Sequence, residues 1–92
     1  MTVHLLIKGK VQGVFYRATA KEMALKYGIT GWIKNTAEGH VEAVCQGDAD
    51  AIEQFILWCH EGSPRAEVQE VAVTEVSEEP FVEFKVIRGG EV

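Results

Sequence analysis

The residues of this sequence that could do chemistry begin with Arg17 and the glycine-containing loop before it. No Ser, Thr, Asp or Asn lies between Val11 and Tyr16 to cap the helix that the apolar spacing predicts from Tyr16 onward. The first amides of a helix have no acceptor within the helix and carry partial positive charge. A guanidinium can bond two oxygens of a tetrahedral anion at once. Besides the Arg17 side chain, the predicted anion cradle consists of the backbone amides of Gln12, Gly13, Val14, Phe15 and Tyr16.

A purely structural role for these residues stays open at this point. Water could solvate the loop amides, while Arg17 packs on Tyr16 or pairs with Glu22. The loop is not a nucleotide P-loop, because no Gly-Lys-Ser or Gly-Lys-Thr follows it. No magnesium ligand is implied either.

Asn35 is the second candidate, because it ends a predicted strand that runs parallel to the first strand. Strands that run in one direction end at the same edge of a sheet, so Asn35 is expected beside the loop. Its amide oxygen could orient a water molecule, but an amide does not titrate near neutral pH and so cannot be a general base. Asparagine is also a common turn residue, and Asn35 could serve only to start the turn that follows it.

The other reactive side chains do not form a recognisable site. The three histidines, His4, His40 and His60, fall on separate elements without metal-ligand spacing, so no metal site is expected. Cys45 and Cys59 are predicted to be buried thiols. Cys45 is expected just before the second helix, and Cys59 roughly 14 Å from the start of that helix. A disulfide tolerates a distance of only about 7 Å between the two Cα atoms, so no disulfide is expected. Without a Ser/His/Asp set or a carboxylate pair near the loop, any chemistry is expected to proceed without covalent catalysis and without a metal.

The elements that must position these residues follow from periodicity and from glycine and proline breaks. Strands are predicted at 3–10, 29–35, 40–46, 68–76 and 81–88, one helix from Tyr16 to a stop at Gly28, and a second helix capped by Asp48 or Asp50 and stopped by Gly62. The order β-α-β-β-α-β plus an extra C-terminal strand predicts an α+β, ferredoxin-like split-βαβ sandwich. Both helices are expected on one face of a mostly antiparallel sheet. Either of the last two strands could flank the first.

Composition and charge limit the function classes. The 92 residues are 47% hydrophobic and 25% charged, which predicts a single domain over residues 1–92. The net charge is −5, yet residues 1–34 hold six basic groups and one acid. This distribution argues against general nucleic-acid binding and allows local binding of a small anion. Neither a membrane span nor a signal peptide is recognisable, and a cytoplasmic monomer is expected.

Two segments carry a resemblance to a known family. Residues 9–17, which read GKVQGVFYR, resemble the first signature of the acylphosphatase family. Residues 31–41, which read GWIKNTAEGHV, resemble the second signature, with Gly47 six residues later. Ile33 stands where the family more usually has a smaller residue. The two signatures occur in the family's order and spacing, and the resemblance covers essentially the whole chain.

The resemblance implies an enzyme that hydrolyses acyl phosphates to a carboxylate and inorganic phosphate without a cofactor. It implies that the amides of residues 12–16 and Arg17 hold the phosphoryl group, and that Asn35 positions the attacking water. Inorganic phosphate or sulfate is then expected to act as a competitive ligand. An acyl phosphate has a good leaving group, so its hydrolysis needs alignment and charge stabilisation more than an activated nucleophile.

Two rival functions are considered beside this one. The first is a phosphate- or carbamoyl-phosphate-binding module without turnover, because similar domains occur inside larger carbamoyl-transfer proteins. The second is an RNA-binding ferredoxin-like domain, which would need exposed aromatic side chains with basic flanks on the open sheet face. The strands offer Leu6, Trp32 and acidic residues instead, and the pI is about 5.1, so binding to nucleic acid is not expected.

Overall fold

Two helices and five strands follow the predicted order. The structure, a computed structural model, describes residues 1–78 and 80–88. The elements are β1 (Thr2–Lys10), α1 (Tyr16–Tyr27), β2 (Thr30–Asn35), β3 (Val41–Gln46), α2 (Ala49–Glu61), β4 (Glu67–Glu75) and β5 (Phe84–Ile87). The first four strands begin within one residue of their predicted starts. Across the described part of the chain, neither helix is long and apolar enough to cross a membrane.

The sheet has the strand order β4-β1-β3-β2-β5. β3 pairs antiparallel with both β1 and β2, β4 pairs antiparallel with β1, and β5 pairs parallel with β2. Each βαβ unit therefore holds a strand of the other unit in its gap, which confirms the ferredoxin-like sandwich. The open question about the last two strands is also answered, because β4 flanks β1. Since β1 and β2 both oppose β3, they point the same way and end at one edge of the sheet.

Alternate strand residues and one face of each helix form a single core. Its members without exposed surface are Leu5, Ile7, Ala20, Ala24, Ile33, Val41, Ala43, Cys45, Phe55 and Cys59. The Phe55 ring lies 6.0 Å from the rings of both Trp58 and Phe84, which packs α2 against β5. Full burial of a side chain of this size contributes about 1.5–3 kcal/mol. The core thus holds β1, β2 and α1 in fixed positions around the edge where the candidate residues lie.

The last strand is shorter than predicted. The alternating pattern predicts a strand over 81–88, but β5 spans Phe84–Ile87. The β2–β5 ladder begins with Gly31 opposite Phe84, so the residues before it lie outside the sheet. Val82 is accordingly 93% exposed. The prediction was wrong here because an alternating pattern alone does not show where the partner strand begins.

Gly31 permits the close approach of β2 to its neighbours. Its φ is +137°, and a Cβ at this position would collide with the carbonyl oxygen of Val44 on β3. Only glycine therefore fits here without displacing the sheet. The Gly31 amide donates to the Glu83 carbonyl at 2.9 Å, which holds the start of β5 against β2.

The second helix is capped at the first of its two predicted cap residues, but without a side-chain capping bond. Asp48 is the N-cap residue, but its side chain makes no capping hydrogen bond. Asp50 lies in the first turn, where its negative charge stabilises the partly positive N-terminal end of the helix. Gly62 ends the helix, as predicted. Of the two residues that the sequence left open, Asp48 is thus the N-cap and Asp50 supplies the charge in the first turn.

The two cysteines are free and buried, as predicted. Burial raises the pKa of both thiols, that of Cys59 to about 12, and the charge of Cys59 adds to the rise of the Cys45 pKa. Burial also raises the pKa of Tyr16, whose hydroxyl donates to the Cys59 carbonyl at 2.7 Å. All three groups are therefore neutral in the folded protein at neutral pH.

The free energy of unfolding is expected to fall as the pH rises above about 9. In the unfolded chain the thiols ionise at their ordinary pKa of 9.0 and the tyrosine at 10.0. Above these values the unfolded chain has lost protons that the folded protein keeps, so each group lowers stability by up to about 1.4 kcal/mol per pH unit. Urea unfolding between about pH 7 and pH 10.5 measures the effect.

Cys45→Ala is the matched variant for this measurement. Its cavity lowers stability at every pH, but its alkaline decline should be shallower than that of the wild type because one ionising group is gone. Equal slopes in the two proteins would show that the Cys45 thiol makes no such contribution.

Candidate active site

A cleft of about 640 Å³ lies where the β1–α1 loop, the end of β2 and β5 meet. The described residues that line this cleft are Val11, Gly13, Phe15, Tyr16, Arg17, Ala18, Lys21, Asn35, Lys85, Val86 and Arg88. Arg17 and Asn35, which lie on different elements, are thus brought to one cavity together with three of the predicted loop residues. Gln12 and Val14 do not line it. The Gln12 side chain bonds the β2–β3 turn, and the Val14 carbonyl accepts a hydrogen bond from Ser63.

The amides at the start of α1 have no protein acceptor in the described part of the chain. The N-cap residue is Phe15, no side chain caps the helix, and no acid lies in the first turn. The first helical amide with a backbone acceptor is that of Thr19, which donates to the Phe15 carbonyl at 3.1 Å. The uncapped helix start expected from the sequence is therefore confirmed, and it opens onto the cleft.

The loop has an unusual backbone, with two residues in the left-handed region. Phe15 adopts the left-handed conformation, with φ 61° and ψ 23°, and Gly13 has φ 73°. A non-glycine residue in this region costs on the order of 1 kcal/mol and persists only where its surroundings hold it. Residues of alternating handedness aim successive amides into one concavity, a known anion-binding arrangement.

Two buried hydrogen bonds fix the loop to the end of α2. The Ser63 hydroxyl donates to the Val14 carbonyl at 2.7 Å. The Tyr16 hydroxyl donates to the Cys59 carbonyl at 2.7 Å, and its ring lies 5.0 Å from that of Trp58. The Val14 carbonyl and the Tyr16 side chain are thus both bonded in the interior, which fixes the loop against α2.

Arg17 is half-buried and held by the last strand. Its Nη1 donates to the Ile87 carbonyl on β5 at 3.0 Å. Within residues 1–78 and 80–88 no ion pair joins Arg17 to Glu22, so that structural alternative is not observed. A guanidinium has five N–H donors, and the bond to Ile87 uses one of them. The others remain able to bond a ligand in the cleft.

Asn35 is exposed at the end of β2, and the turn after it does not depend on its side chain. The turn is closed by Thr36, whose amide donates to the His40 carbonyl at 2.9 Å and whose hydroxyl accepts from the His40 amide at 3.1 Å. The Asn35 side chain has no hydrogen bond to a described residue. The turn-starting alternative therefore has no support in the contacts of this side chain.

The side chain of Gln12 joins the loop to this turn, a contact that the sequence analysis missed. Its Nε2 donates to the Thr36 carbonyl at 3.0 Å and to the His40 carbonyl at 2.8 Å. The two bonds use both hydrogens of the amide and fix the β2–β3 turn relative to the anion-binding loop. No local sequence signal identifies such a contact, because it joins residues 24 and 28 positions apart.

Three further basic residues of the cleft were also missed. Lys21 lies one helical turn after Arg17 on α1, a spacing from which it could have been inferred. Lys85 and Arg88 lie on or just after β5. Lys85 and Arg88 reach the cleft only because β5 pairs with β2, and the sequence left this pairing open.

Comparison with known proteins agrees with both the sequence and the fold. The acylphosphatase family model matches residues 3–86. An acylphosphatase of Methylococcus capsulatus is 44% identical over 91 residues, covering 94% of this chain and 95% of the relative.

Solved structures give the same result. The crystal structure of an acylphosphatase from Bacillus subtilis matches with a TM-score of 0.90 and 31% identity, over 94% of this chain and 97% of that one. An acylphosphatase structure from Coxiella burnetii matches with a TM-score of 0.90 and 38% identity, over 94% and 90% of the two chains. The resemblance drawn from the two signatures is thereby confirmed, and this chain belongs to the acylphosphatase family.

Proposed function

We propose that this chain hydrolyses acyl phosphates to a carboxylate and inorganic phosphate. In this proposal the amides of residues 12–16 and the Arg17 guanidinium hold the phosphoryl group, and the Asn35 amide positions the attacking water. The observation that carries the proposal is the single cleft shared by the uncapped helix start, Arg17 and Asn35. The names of the matching relatives support the reaction class.

The phosphoryl group suits the donors at the start of α1. In loose phosphoryl transfer, negative charge spreads over three oxygens, and a ring of amides can follow it without reorganising. The bonds from Ser63 and Tyr16 support this role, because they preset the loop before the ligand arrives. Preset donors stabilise the transition state more effectively than water, which must reorient.

The position of Arg17 supports its role beside these amides. The Ile87 carbonyl holds one end of the guanidinium, so its remaining donors keep a fixed direction. A planar guanidinium can then bond two phosphoryl oxygens in parallel, which fixes the orientation of the group as well as its charge.

The attacking water needs orientation rather than deprotonation by a side chain. No acid, histidine or thiol is found among the described residues that line the cleft. In this proposal the proton of the water passes to a phosphoryl oxygen as the bond between phosphorus and the carboxylate oxygen breaks. A side-chain pKa in the pH–rate profile that disappeared on one substitution would contradict this step.

The test is the hydrolysis of benzoyl phosphate in the presence of EDTA, followed by absorbance. Turnover is expected, with competitive inhibition by inorganic phosphate or sulfate. Phosphate should also raise the Tm by mass action, because it binds the folded chain and not the unfolded one. A rise in Tm without turnover would contradict the proposed reaction and leave the chain as a phosphate-binding module.

Gln12→Leu is expected to lower kcat about tenfold, with KM and the inhibition constant of phosphate changed less than about threefold. The substitution removes both bonds to the β2–β3 turn while keeping a side chain of similar volume. Asn35, adjacent to that turn, then loses its fixed distance to the phosphoryl group. Steady-state kinetics with benzoyl phosphate measure the split between kcat and KM.

Gln46→Leu is the matched control for this prediction. The Gln46 side chain also makes two hydrogen bonds, to Thr2 and Phe81, at the opposite end of the sheet. Its loss should lower stability and leave kcat within about twofold. If both variants lost kcat equally, Gln12 would act through stability alone and not through the position of Asn35.

A further inference from the structure

The cleft is strongly basic in a protein that is acidic overall. Four of the described residues that line it are basic and none is acidic; the basic ones are Arg17, Lys21, Lys85 and Arg88. The whole chain, in contrast, has nine Lys and Arg against fourteen Asp and Glu and a net charge of −5. Chance mixing of charge does not readily produce such a concentration on one cavity.

Among the described residues, no ion pair neutralises the lysines of the cleft. The ion pairs between two described residues join Glu42 to His4 and to Lys34, outside the cleft. Lys21 lies four residues after Arg17 on the same helical face, and like charges at this spacing destabilise a helix. Lys85, on β5, brings positive charge to the cleft from the sheet. The fold therefore tolerates mutual repulsion at this cavity.

The phosphoryl group does not account for all this charge. In the proposed function the loop amides and Arg17 bind its oxygens, and the cleft of about 640 Å³ has room for the acyl half as well. If the acyl half were neutral, Lys21 and Lys85 would face it without a partner. A second negative charge on the acyl half would be bound by both.

We propose that this chain prefers acyl phosphates whose acyl half carries a second anionic group, which Lys21 and Lys85 bind. The inference rests on the proposed acyl phosphate hydrolysis and adds the substrate class. The charge of the acyl group affects binding to the two lysines, while the bond that breaks and the attacking water stay the same.

The test compares 4-carboxybenzoyl phosphate with 4-carbamoylbenzoyl phosphate, which has nearly the same shape and no charge on its acyl half. The wild type is expected to show a kcat/KM about tenfold higher for the carboxylate, each rate being corrected for spontaneous hydrolysis. Lys21→Gln and Lys85→Gln should each lower this preference, and the double variant should bring the ratio close to 1. Both substrates lose some rate in the double variant, so the ratio is the informative quantity.

Lys26→Gln is the matched control, because it removes the same charge from the same helix outside the cleft. It should leave the preference unchanged. A wild-type ratio near 1, or a preference that survives in the double variant, would overturn the inference. Absence of hydrolysis of either compound, and of benzoyl phosphate, by the wild type would instead contradict the proposed function.

Discussion

Replacing Arg17 with alanine is expected to lower kcat/KM for benzoyl phosphate about 1,000-fold or more and to weaken the binding of inorganic phosphate. The guanidinium lies in the cleft beside the uncapped amides, and the transition state places its charge on the phosphoryl oxygens. Loss of the guanidinium removes charge-assisted hydrogen bonds to the phosphoryl group in both the bound state and the transition state. Kinetics and a phosphate titration, followed by calorimetry, measure the two effects separately.

Two variants make this result specific. Arg17→Lys keeps the positive charge, but a lysine lacks the planar guanidinium that can bond the Ile87 carbonyl and the phosphoryl group at the same time. It should therefore recover only a small part of the lost rate. Arg65→Ala removes an exposed arginine outside the cleft and should leave the rate within about twofold. A loss of less than about tenfold in Arg17→Ala would exclude the guanidinium from the transition state.

Replacing Asn35 with alanine is expected to lower kcat about 100-fold or more, while phosphate binds within about threefold of the wild-type affinity. The amide of Asn35 is assigned to the attacking water and not to the phosphoryl group, so its loss affects the reacting geometry alone. Because Thr36 and Gln12 hold the neighbouring turn, the substitution leaves the fold intact.

The pair of variants tests the division of roles. Arg17→Ala should lose both phosphate affinity and turnover, and Asn35→Ala should lose turnover alone. Circular dichroism and the Tm of each variant verify that both remain folded. If phosphate binding collapsed equally in the two proteins, Asn35 would belong to the phosphate site and the assignment of the water would be wrong.

The parts of the site that could be predicted depend on local patterns. The apolar spacing places the start of α1 at Tyr16, and the lack of a capping side chain before it exposes the amides. The parallel direction of β1 and β2 follows from the element order, and it brings Asn35 to the edge where the loop lies. These inferences need only short-range periodicity and general rules of strand connection.

The parts that could not be predicted depend on contacts between distant residues. The bonds of Gln12 to the β2–β3 turn have no local signature. The start of β5 is set by where its ladder with β2 begins, so a pattern of alternating residues overestimated its length. The role of Lys85 in the cleft follows only after that ladder is known.

The hydrogen bond from Arg17 to the Ile87 carbonyl joins positions 70 residues apart. Synthesis proceeds from the N-terminus, so a growing chain contains the loop and α1 long before it contains β5. In such a chain the guanidinium has no carbonyl to hold it. The same order applies when β5 docks late in refolding: helical signal returns first and phosphate affinity afterwards. Enzyme activity would then report the docking of β5, whereas the helical circular dichroism signal would report only the earlier formation of the helices.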